Sequence, residues 1–233
     1  EFSQAYFEGE TSFHGAVFSG AAIFLGGKAK GTIHFIEAQF EASAQFHTRE
    51  FDALVYFDAA VFLGEMTFAG AVFERLASFE RIRWPITPSH WHRAFDKTFF
   101  RSTVVFTGAG FKALAAFDGA TLERGISLDE VSASRSDEIF HSELVGAIGT
   151  VSEDDKSHQA RDARLAELER GCRVLKQAME KASNKTREQM FYRYELVSRR
   201  RQSTTPLTEK VLSKLYHWTA NYGSSIGRPF VSL

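Results

Sequence analysis

The sequence predicts a mainly β-solenoid fold followed by an α-helical C-terminal segment, and three observations support this fold class. Most of the 23 phenylalanines fall on two ladders, in each of which an aromatic or apolar residue recurs every eleven residues. A small residue stands two positions before most of these ladder residues. Both ladders fade after about residue 134, where apolar residues adopt the spacing of helices. Such repeats determine a fold but not a function.

The two ladders interleave and supply the predicted core. The first reads Phe7, Phe18, Ala29, Phe40, Phe51, Phe62, Phe73, Trp84, Phe95, Phe106, Phe117 and Leu128, without a slip. The second reads Phe2, Phe13, Phe24, Phe35, Phe46, Phe57, Phe68 and Phe79, loses its phase at His90, and resumes one residue early at Phe100, Phe111 and Leu122. Steps of five and six residues turn a helix by about 140° and about 240°, so one amphipathic helix is excluded. The pattern predicts short faces, each pointing its ring inward.

The residue two positions before each ring supports this geometry, because it would also point inward and must be small beside a ring. It is alanine in eleven units: Ala5, Ala16, Ala22, Ala38, Ala44, Ala60, Ala71, Ala77, Ala109, Ala115 and Ala120. Glycine and polar residues follow the ring, as in Phe18-Ser-Gly-Ala and Phe117-Asp-Gly-Ala, where a corner requires tight-turn residues.

Units such as Ala16-Val-Phe-Ser-Gly20 and Ala120-Thr-Leu-Glu-Arg124 resemble the pentapeptide-repeat proteins, over about residues 2–130. The resemblance implies a right-handed quadrilateral β-helix. Four units take 22 residues, so we expect about six coils stacked at about 4.8 Å into a rod about 30 Å long. The departures are the regular six-residue units and the large side chains at nominally small positions: Ile33, Arg49, Met66 and Arg93.

One interruption of the repeats lies near residues 85–94, contains two of the four prolines, and shifts one ladder while leaving the other intact. We interpret it as a looped-out or distorted face. His90 and His92 within it suggest half of a metal site or a recognition loop, but two histidines without a neighbouring cysteine or paired carboxylates are a weak ligand set. An irregular loop with Trp91 partly buried is the favoured interpretation, and we predict no metal site.

Composition separates the chain into two parts. Residues 1–134 carry 16 acidic and 11 basic side chains, a balance of −5, whereas residues 135–233 carry 13 acidic and 17 basic, a balance of +4.

A single cysteine, Cys172, excludes an intrachain disulfide and a thiolate metal cage, and a cytoplasmic setting is the default. The sequence has no run of 18 apolar residues and no N-terminal signal pattern. It lacks an initiator Met and looks like a piece excised from a longer chain. We predict three parts: repeats at 1–134, a cap and linker at 135–157, and helices at 158–233.

The C-terminal part predicts a cap and three helices. Ile139, Phe140 and Leu144 suggest an imperfect final coil over the open end of the core, since solenoid ends need covering. A polar linker, 149–158, leads to a helix at about 157–182, whose apolar stripe is Leu165, Leu168, Cys172, Leu175 and Met179. Cys172 on this stripe is interpreted as a buried structural thiol and not as a nucleophile.

A second helix is predicted from Thr186-Arg-Glu-Gln189, a capping-box pattern, with Phe191 and Tyr194 among its apolar residues. A third is predicted over 206–222, with Pro206 at its first position and an apolar face, and Tyr222-Gly223 as its end. The face comprises Leu207, Val211, Leu215, Trp218 and Tyr222. Its mixture of lysine, tryptophan and tyrosine is typical of membrane-interface segments. Packing of an ordinary amphipathic helix on the two preceding helices is the slightly favoured alternative.

Segments 187–201 and 215–229 are similar to the helical segment that follows the repeats in bacterial membrane-anchored pentapeptide-repeat proteins. This resemblance implies a juxtamembrane position and membrane attachment beyond Leu233, on the cytoplasmic face of the inner membrane. The candidate membrane-proximal residues are Arg199, Arg200, Arg201, Tyr216, Trp218 and Tyr222. A solvated helix end that complements the helix dipole is the rival interpretation of the three arginines.

The sequence contains no phosphate-binding glycine loop, no nucleophile elbow and no His-Glu-x-x-His motif. We therefore expect no enzymatic activity, no cofactor and no small-molecule substrate.

The favoured function is a rigid scaffold that binds a protein partner, as repeat scaffolds do. The alternative is a DNA mimic that inhibits or protects a type II topoisomerase. Such a mimic needs strong, continuous negative charge, and the net charge of −5 over residues 1–134 is small for that role. The scattered basic residues disfavour direct nucleic-acid binding. The open strand edge at Phe2 leaves homo-oligomerisation as an option.

Overall fold

The computed structural model describes residues 1–83, 94–109, 114–128, 133–148 and 155–220. It is a parallel β-solenoid of about five turns followed by four helices. Every strand is two residues long. In chain order the strands are β1 (Tyr6–Phe7), β2 (Thr11–Ser12), β3 (Val17–Phe18), β4 (Ala22–Ile23), β5 (Lys28–Ala29), β6 (Ile33–His34), β7 (Gln39–Phe40), β8 (Ala44–Gln45), β9 (Glu50–Phe51), β10 (Val55–Tyr56), β11 (Val61–Phe62), β12 (Met66–Thr67), β13 (Val72–Phe73), β14 (Ala77–Ser78), β15 (Phe99–Phe100), β16 (Val104–Val105), β17 (Thr121–Leu122) and β18 (Ile126–Ser127).

The strands stack into four faces, which confirms the predicted quadrilateral coil. Face 1 contains β1, β5, β9, β13, β15 and β17; face 2 contains β2, β6, β10, β14, β16 and β18; face 3 contains β3, β7 and β11; and face 4 contains β4, β8 and β12. All pairings are parallel and in register, as in Tyr6 opposite Lys28 and Val55 opposite Ala77. The chain therefore visits each face once per coil.

The ladder rings form columns inside the solenoid. Rings in successive coils stack nearly parallel: Phe18 and Phe40 have centroids 4.8 Å apart, and Phe40 and Phe62 4.7 Å apart. This separation matches the spacing of neighbouring parallel strands, so rings in successive coils stack at the strand spacing. From the second coil onward the predicted core residues are fully buried: Phe24, Phe35, Phe40, Phe46, Phe51, Phe57, Phe62, Phe68, Phe73, Phe106 and Phe117. In the first coil Phe7, Phe13 and Phe18 are only partly buried, because they have a coil on one side alone.

The alternation of five- and six-residue steps has a backbone cause. A residue with positive φ recurs every eleven residues in the five-residue steps: Gln4, Gly15, Gly26, Glu37, Thr48, Ala59, Gly70, Arg81, and then Lys97, Gly108 and Gly119. A left-handed residue turns the chain sharply, so this corner needs one residue fewer. The six-residue steps in the first coils turn without one, as at Gly20; the last step, from Leu122 to Leu128, contains Gly125 with a φ of 116°.

The structure corrects the prediction that one ladder passes the interruption unchanged. Successive face 1 strands start at equal intervals at Lys28, Glu50 and Val72, but the next starts at Phe99, where the same interval would have placed Ala94. The stacked rings follow the same offset: Phe68 with Phe95, Phe73 with Phe100, and Phe79 with Phe106. Both ladders therefore change faces here, because the chain contains additional residues between Arg83 and Ala94. The predicted loop with His90, Trp91 and His92 lies outside the described residues, as do Trp84, Arg93 and Phe111.

Four helices follow: α1 (Ala133–Ile148), α2 (Asp155–Lys181), α3 (Lys185–Arg201) and α4 (Leu207–Ala220). The predicted final coil is wrong, since Ile139, Phe140 and Leu144 belong to α1 and bury their side chains as part of a helix. The stripe on α2 is confirmed: Leu165, Leu168, Cys172, Leu175 and Met179 are all buried. The cap of α3 is Asn184 instead of Thr186, because the Asn184 side chain accepts a hydrogen bond from the Arg187 amide.

Candidate interaction surfaces

Face 1 presents a straight row of outward side chains, each directly before an inward ring or its substitute. From the first coil to the last the row is Tyr6, Lys28, Glu50, Val72, Phe99 and Thr121. The aromatic residues near its two ends are exposed, Tyr6 by 48% and Phe99 by 41%. Four strand spacings separate them, or about 19 Å. Neither aromatic was predicted from the sequence, although both stand directly before a ladder ring, and that position identifies outward side chains.

Charged side chains between these aromatics are paired along the stacking direction. Lys28 Nζ lies 3.0 Å from Glu50 Oε2 and 3.1 Å from Asp52 Oδ2, and these hydrogen bonds, to Glu50 first, raise the pKa of Lys28. Arg101 and Glu74 form a second pair at 3.0 Å. Exposed pairs contribute little stability, so their main effect is to fix positions and reduce the net charge of face 1.

Face 2 carries a second, more neutral row. The rings of His34 and Tyr56 stack with centroids 5.3 Å apart, and His34 Nε2 lies 3.0 Å from Glu10 Oε1. Asp58 Oδ1 accepts hydrogen bonds from the Ser78 hydroxyl at 2.5 Å and from the Glu80 amide at 3.1 Å. The polar groups of this row are engaged with one another, as the charged groups of face 1 are.

Arg49, a departure from the small-residue pattern, is completely buried. Its guanidinium donates to the carbonyls of Gly26 at 2.9 Å and Ala5 at 2.8 Å, and Cζ lies 4.8 Å from the Phe7 ring centre. Burial lowers the pKa of Arg49 to about 10, so the group is charged at neutral pH. Ala29 provides the space, since it replaces a ring in the face 1 column. Arg49 is therefore a structural residue.

Helix α2 covers the C-terminal end of the solenoid. Arg170 donates two hydrogen bonds of 2.7 Å to the carboxylate of Asp118, and Lys181 Nζ donates to the Leu122 carbonyl at 2.7 Å. Glu143 on α1 accepts from the Leu114 amide, in the short 3₁₀ helix Leu114–Phe117, at 2.7 Å. These contacts satisfy polar groups at the end of the coil, as a capping element must.

Buried carboxylates join α2 to α3. Arg173 and Lys176 of α2 lie 2.8 Å and 2.7 Å from the Glu195 carboxylate, and Gln202 donates to Glu169 at 2.7 Å. Cys172 is fully buried among them, and desolvation, followed by the charges of Glu143, Glu195 and Glu169, raises its pKa well above 9.0. A thiol held protonated is a poor nucleophile, in agreement with the structural interpretation.

The described residues of the apolar face of α4 do not pack on the preceding helices, which corrects the favoured interpretation for that part of the face. Leu207 is 80% exposed, Val211 55% and Leu215 51%. The contact with α3 is instead made by Glu209, whose carboxylate lies 2.6 Å from Arg199 Nε. A groove of about 340 Å³ runs between the two helices, lined by Tyr192, Leu196, Arg200, Leu212 and Tyr216 among others.

The structure describes four of the candidate membrane-proximal residues in full, and the other two lie partly or wholly outside the described residues. Arg199, Arg200 and Arg201 lie in the last turn of α3, as the helix-dipole interpretation expects, and Tyr216 lies on α4 with 41% of its surface exposed. The side chain of Trp218 and the whole of Tyr222 lie outside the described residues. In the part of the chain that the structure describes, no helix is long and apolar enough to cross a membrane. No group of three or more potential metal ligands occurs there either.

The fold and surfaces define a class of protein: a four-faced parallel β-solenoid that is closed by a helical cap and carries an amphipathic helix with exposed apolar residues. Comparison with protein-family models, with curated proteins and with solved structures gave no match for this chain. The exposed surfaces are therefore the guide to its function.

Proposed function

We propose that this protein is a non-enzymatic, rigid module that binds a protein partner through face 1. We also propose that it is the cytoplasmic part of a larger, membrane-associated bacterial protein of the pentapeptide-repeat type. The observation that carries the binding proposal is the pair of exposed aromatics, Tyr6 and Phe99, on one straight row. Exposed aromatic side chains surrounded by charged residues have the composition of interface hot spots.

Rigidity supports this function. The face 1 backbone is hydrogen-bonded in every coil, for example from the Asp52 amide to the Ala29 carbonyl at 2.8 Å. The column of rings behind it holds each strand in place, as between Phe51 and Phe73. A preformed surface loses little conformational entropy on association, which favours affinity.

A non-enzymatic role is supported by the filled interior. Catalytic groups converge in a concave site, whereas the space inside the coils is occupied by stacked rings. Membership of the pentapeptide-repeat proteins is supported by the buried small residue two positions before a buried ring, as at Ala38 and Phe40.

DNA mimicry of a type II topoisomerase substrate is the weaker alternative. A mimic needs continuous negative charge, whereas Glu50 and Asp52 are paired with Lys28, and Glu74 with Arg101. We expect no inhibition in a DNA gyrase supercoiling assay at micromolar protein. Inhibition there that is lost on substituting the face 1 acidic residues would replace our proposal.

Site-specific photocrosslinking tests the binding proposal. A photoreactive phenylalanine analogue is placed at Phe99 on face 1, or at Leu63, which follows β11 on face 3 and is 48% exposed. In cells of the source organism we expect position 99 to give a discrete adduct of one identifiable protein and position 63 to give none. Equal adducts from both positions, or none from position 99, would disprove a partner site on face 1.

A further inference from the structure

The apolar ridge of α4 suggests a ligand of its own. Leu207, Val211 and Leu215 follow one another at four-residue intervals and form a line along the helix. Leu212, which lines the groove towards α3, is also 66% exposed and borders this line. Glu209, on the opposite side of the helix, makes the ion pair with α3, so the ridge points away from the helical body. A contiguous apolar surface of this kind marks an interaction site.

The charge around the ridge indicates what it contacts. Lys210 and Lys214 each follow a ridge residue by three positions and so lie along one border. Residues 199–220 contain five basic side chains against the single acid Glu209, a balance of +4. Residues 1–134 have a balance of the opposite sign, −5. A negatively charged surface would therefore attract the α4 end and repel the solenoid.

Two features distinguish the possible occupants. Two copies placed ridge to ridge would bring their lysines together, and like charges at an interface are unfavourable. The ridge is convex, with Leu207 80% exposed, so it suits a deformable planar surface. An amphipathic helix with lysines along its apolar border is the form in which proteins lie in the interface of an anionic bilayer.

We infer that α4 is a membrane-surface helix, whose ridge of Leu207, Val211 and Leu215 inserts into the interface of an anionic lipid bilayer. Lys210 and Lys214 contact lipid headgroups along one side. The Arg199–Glu209 pair holds α4 against α3, which orients the solenoid relative to the membrane. This inference rests on the proposed membrane association but is independent of partner binding at face 1.

Vesicle flotation of the full chain tests the inference. The probes are vesicles of phosphatidylcholine with phosphatidylglycerol, and vesicles of phosphatidylcholine alone. We expect flotation with the anionic vesicles only, and its loss at high salt because basic residues contribute. No flotation with anionic vesicles above the neutral control would overturn the inference.

A matched pair of variants locates the contact. Val211→Glu alters the ridge at a residue that is 55% exposed, and Val17→Glu alters β3 at a residue that is 59% exposed. We expect Val211→Glu to weaken vesicle binding by about tenfold or more. The substitution removes a valine side chain that the bilayer would bury and places an unpaired charge in the membrane interface. Val17→Glu should bind like the parent. Equal weakening by both would overturn the inference.

Two further measurements separate this proposal from its rivals. The double variant Lys210→Glu/Lys214→Glu leaves the ridge intact and should abolish the preference for anionic vesicles; it remains informative if Val211→Glu unfolds. Sedimentation velocity reports self-association: a dimer that Val211→Glu dissociates, without any vesicle binding, would assign the ridge to a second copy. Neither result affects photocrosslinking at Phe99, so failure here is distinguishable from failure of the face 1 proposal.

Discussion

The Arg49 guanidinium lies 4.8 Å from the Phe7 ring centre, at the separation of stacked rings such as Phe51 and Phe73. It occupies the height in the face 1 column where the second coil provides only Ala29. The guanidinium lies over the Phe7 ring at a cation–π distance, and two backbone carbonyls accept its hydrogens. Arg49 and Ala29 thus compensate for each other.

A double-mutant cycle tests this compensation. Arg49→Ala should cost about 3 kcal/mol, because it leaves a cavity and two buried carbonyls without their donor. Ala29→Phe alone should cost about 1–3 kcal/mol through overpacking against the guanidinium. The loss in free energy of unfolding of the double variant should be smaller than the sum of the two single losses by at least about 1 kcal/mol. Urea unfolding measures all three free energies. If the two single losses add in the double variant, Arg49 and Ala29 do not compensate for each other.

Close contact between coils should make Gly31 intolerant of substitution. A Cβ atom there would overlap the Gly9 carbonyl of the preceding coil, whereas a Cβ at Gly20 would have no atom within 4 Å. Both positions lack positive φ. Gly31→Ala should destabilise by about 2 kcal/mol or more, and Gly20→Ala should change stability by less than about 1 kcal/mol in either direction. Thermal unfolding of both variants checks this, and similar midpoints would contradict the contact.

The buried thiol predicts a pH dependence. Because burial raises the pKa of Cys172 above its ordinary 9.0, the unfolded chain releases this proton at a lower pH than the folded chain. The free energy of unfolding should fall above pH 9, by up to about 1.4 kcal/mol per pH unit from this group. Cys172→Ala should reduce the slope. The native thiol should also resist a disulfide reagent at pH 8 and react once unfolded. Rapid native reaction would contradict the burial.

The bidentate pair between Asp118 and Arg170 should matter more than a surface pair. Asp118 is largely buried, and its replacement by Asn removes the charge that holds α2 on the solenoid end. Asp118→Asn should cost about 1–2 kcal/mol. The matched control is Glu74→Gln in the exposed pair with Arg101, where we expect a change below about 0.5 kcal/mol. Urea unfolding compares them, and equal effects would mean that the cap is held by apolar contacts alone.

Much of the fold followed from local pattern. The alternation of alanine and phenylalanine identified which side chains point inward, as at Ala38 and Phe40, because a residue's inward direction depends on its place within one short face. The stripe on α2 was predicted for the same reason, since helical spacing alone puts Leu165 and Leu168 on one side. The exposed aromatics of face 1 were not predicted, because the ladder pattern identifies inward positions and does not indicate which outward residues lie side by side.

The sequence by itself determined the period, the inward columns and the presence of a helical C-terminal part, because these depend on residues close together in the chain. Tertiary structure decided the face on which Phe95 and Phe100 lie, since ring stacking and strand pairing with Phe68 and Phe73 set the register across the enlarged coil. It also decided that Arg49 replaces a ring and that α4 exposes its leucines. Those outcomes depend on which remote groups fill a space or leave it open, and no local pattern carries that information.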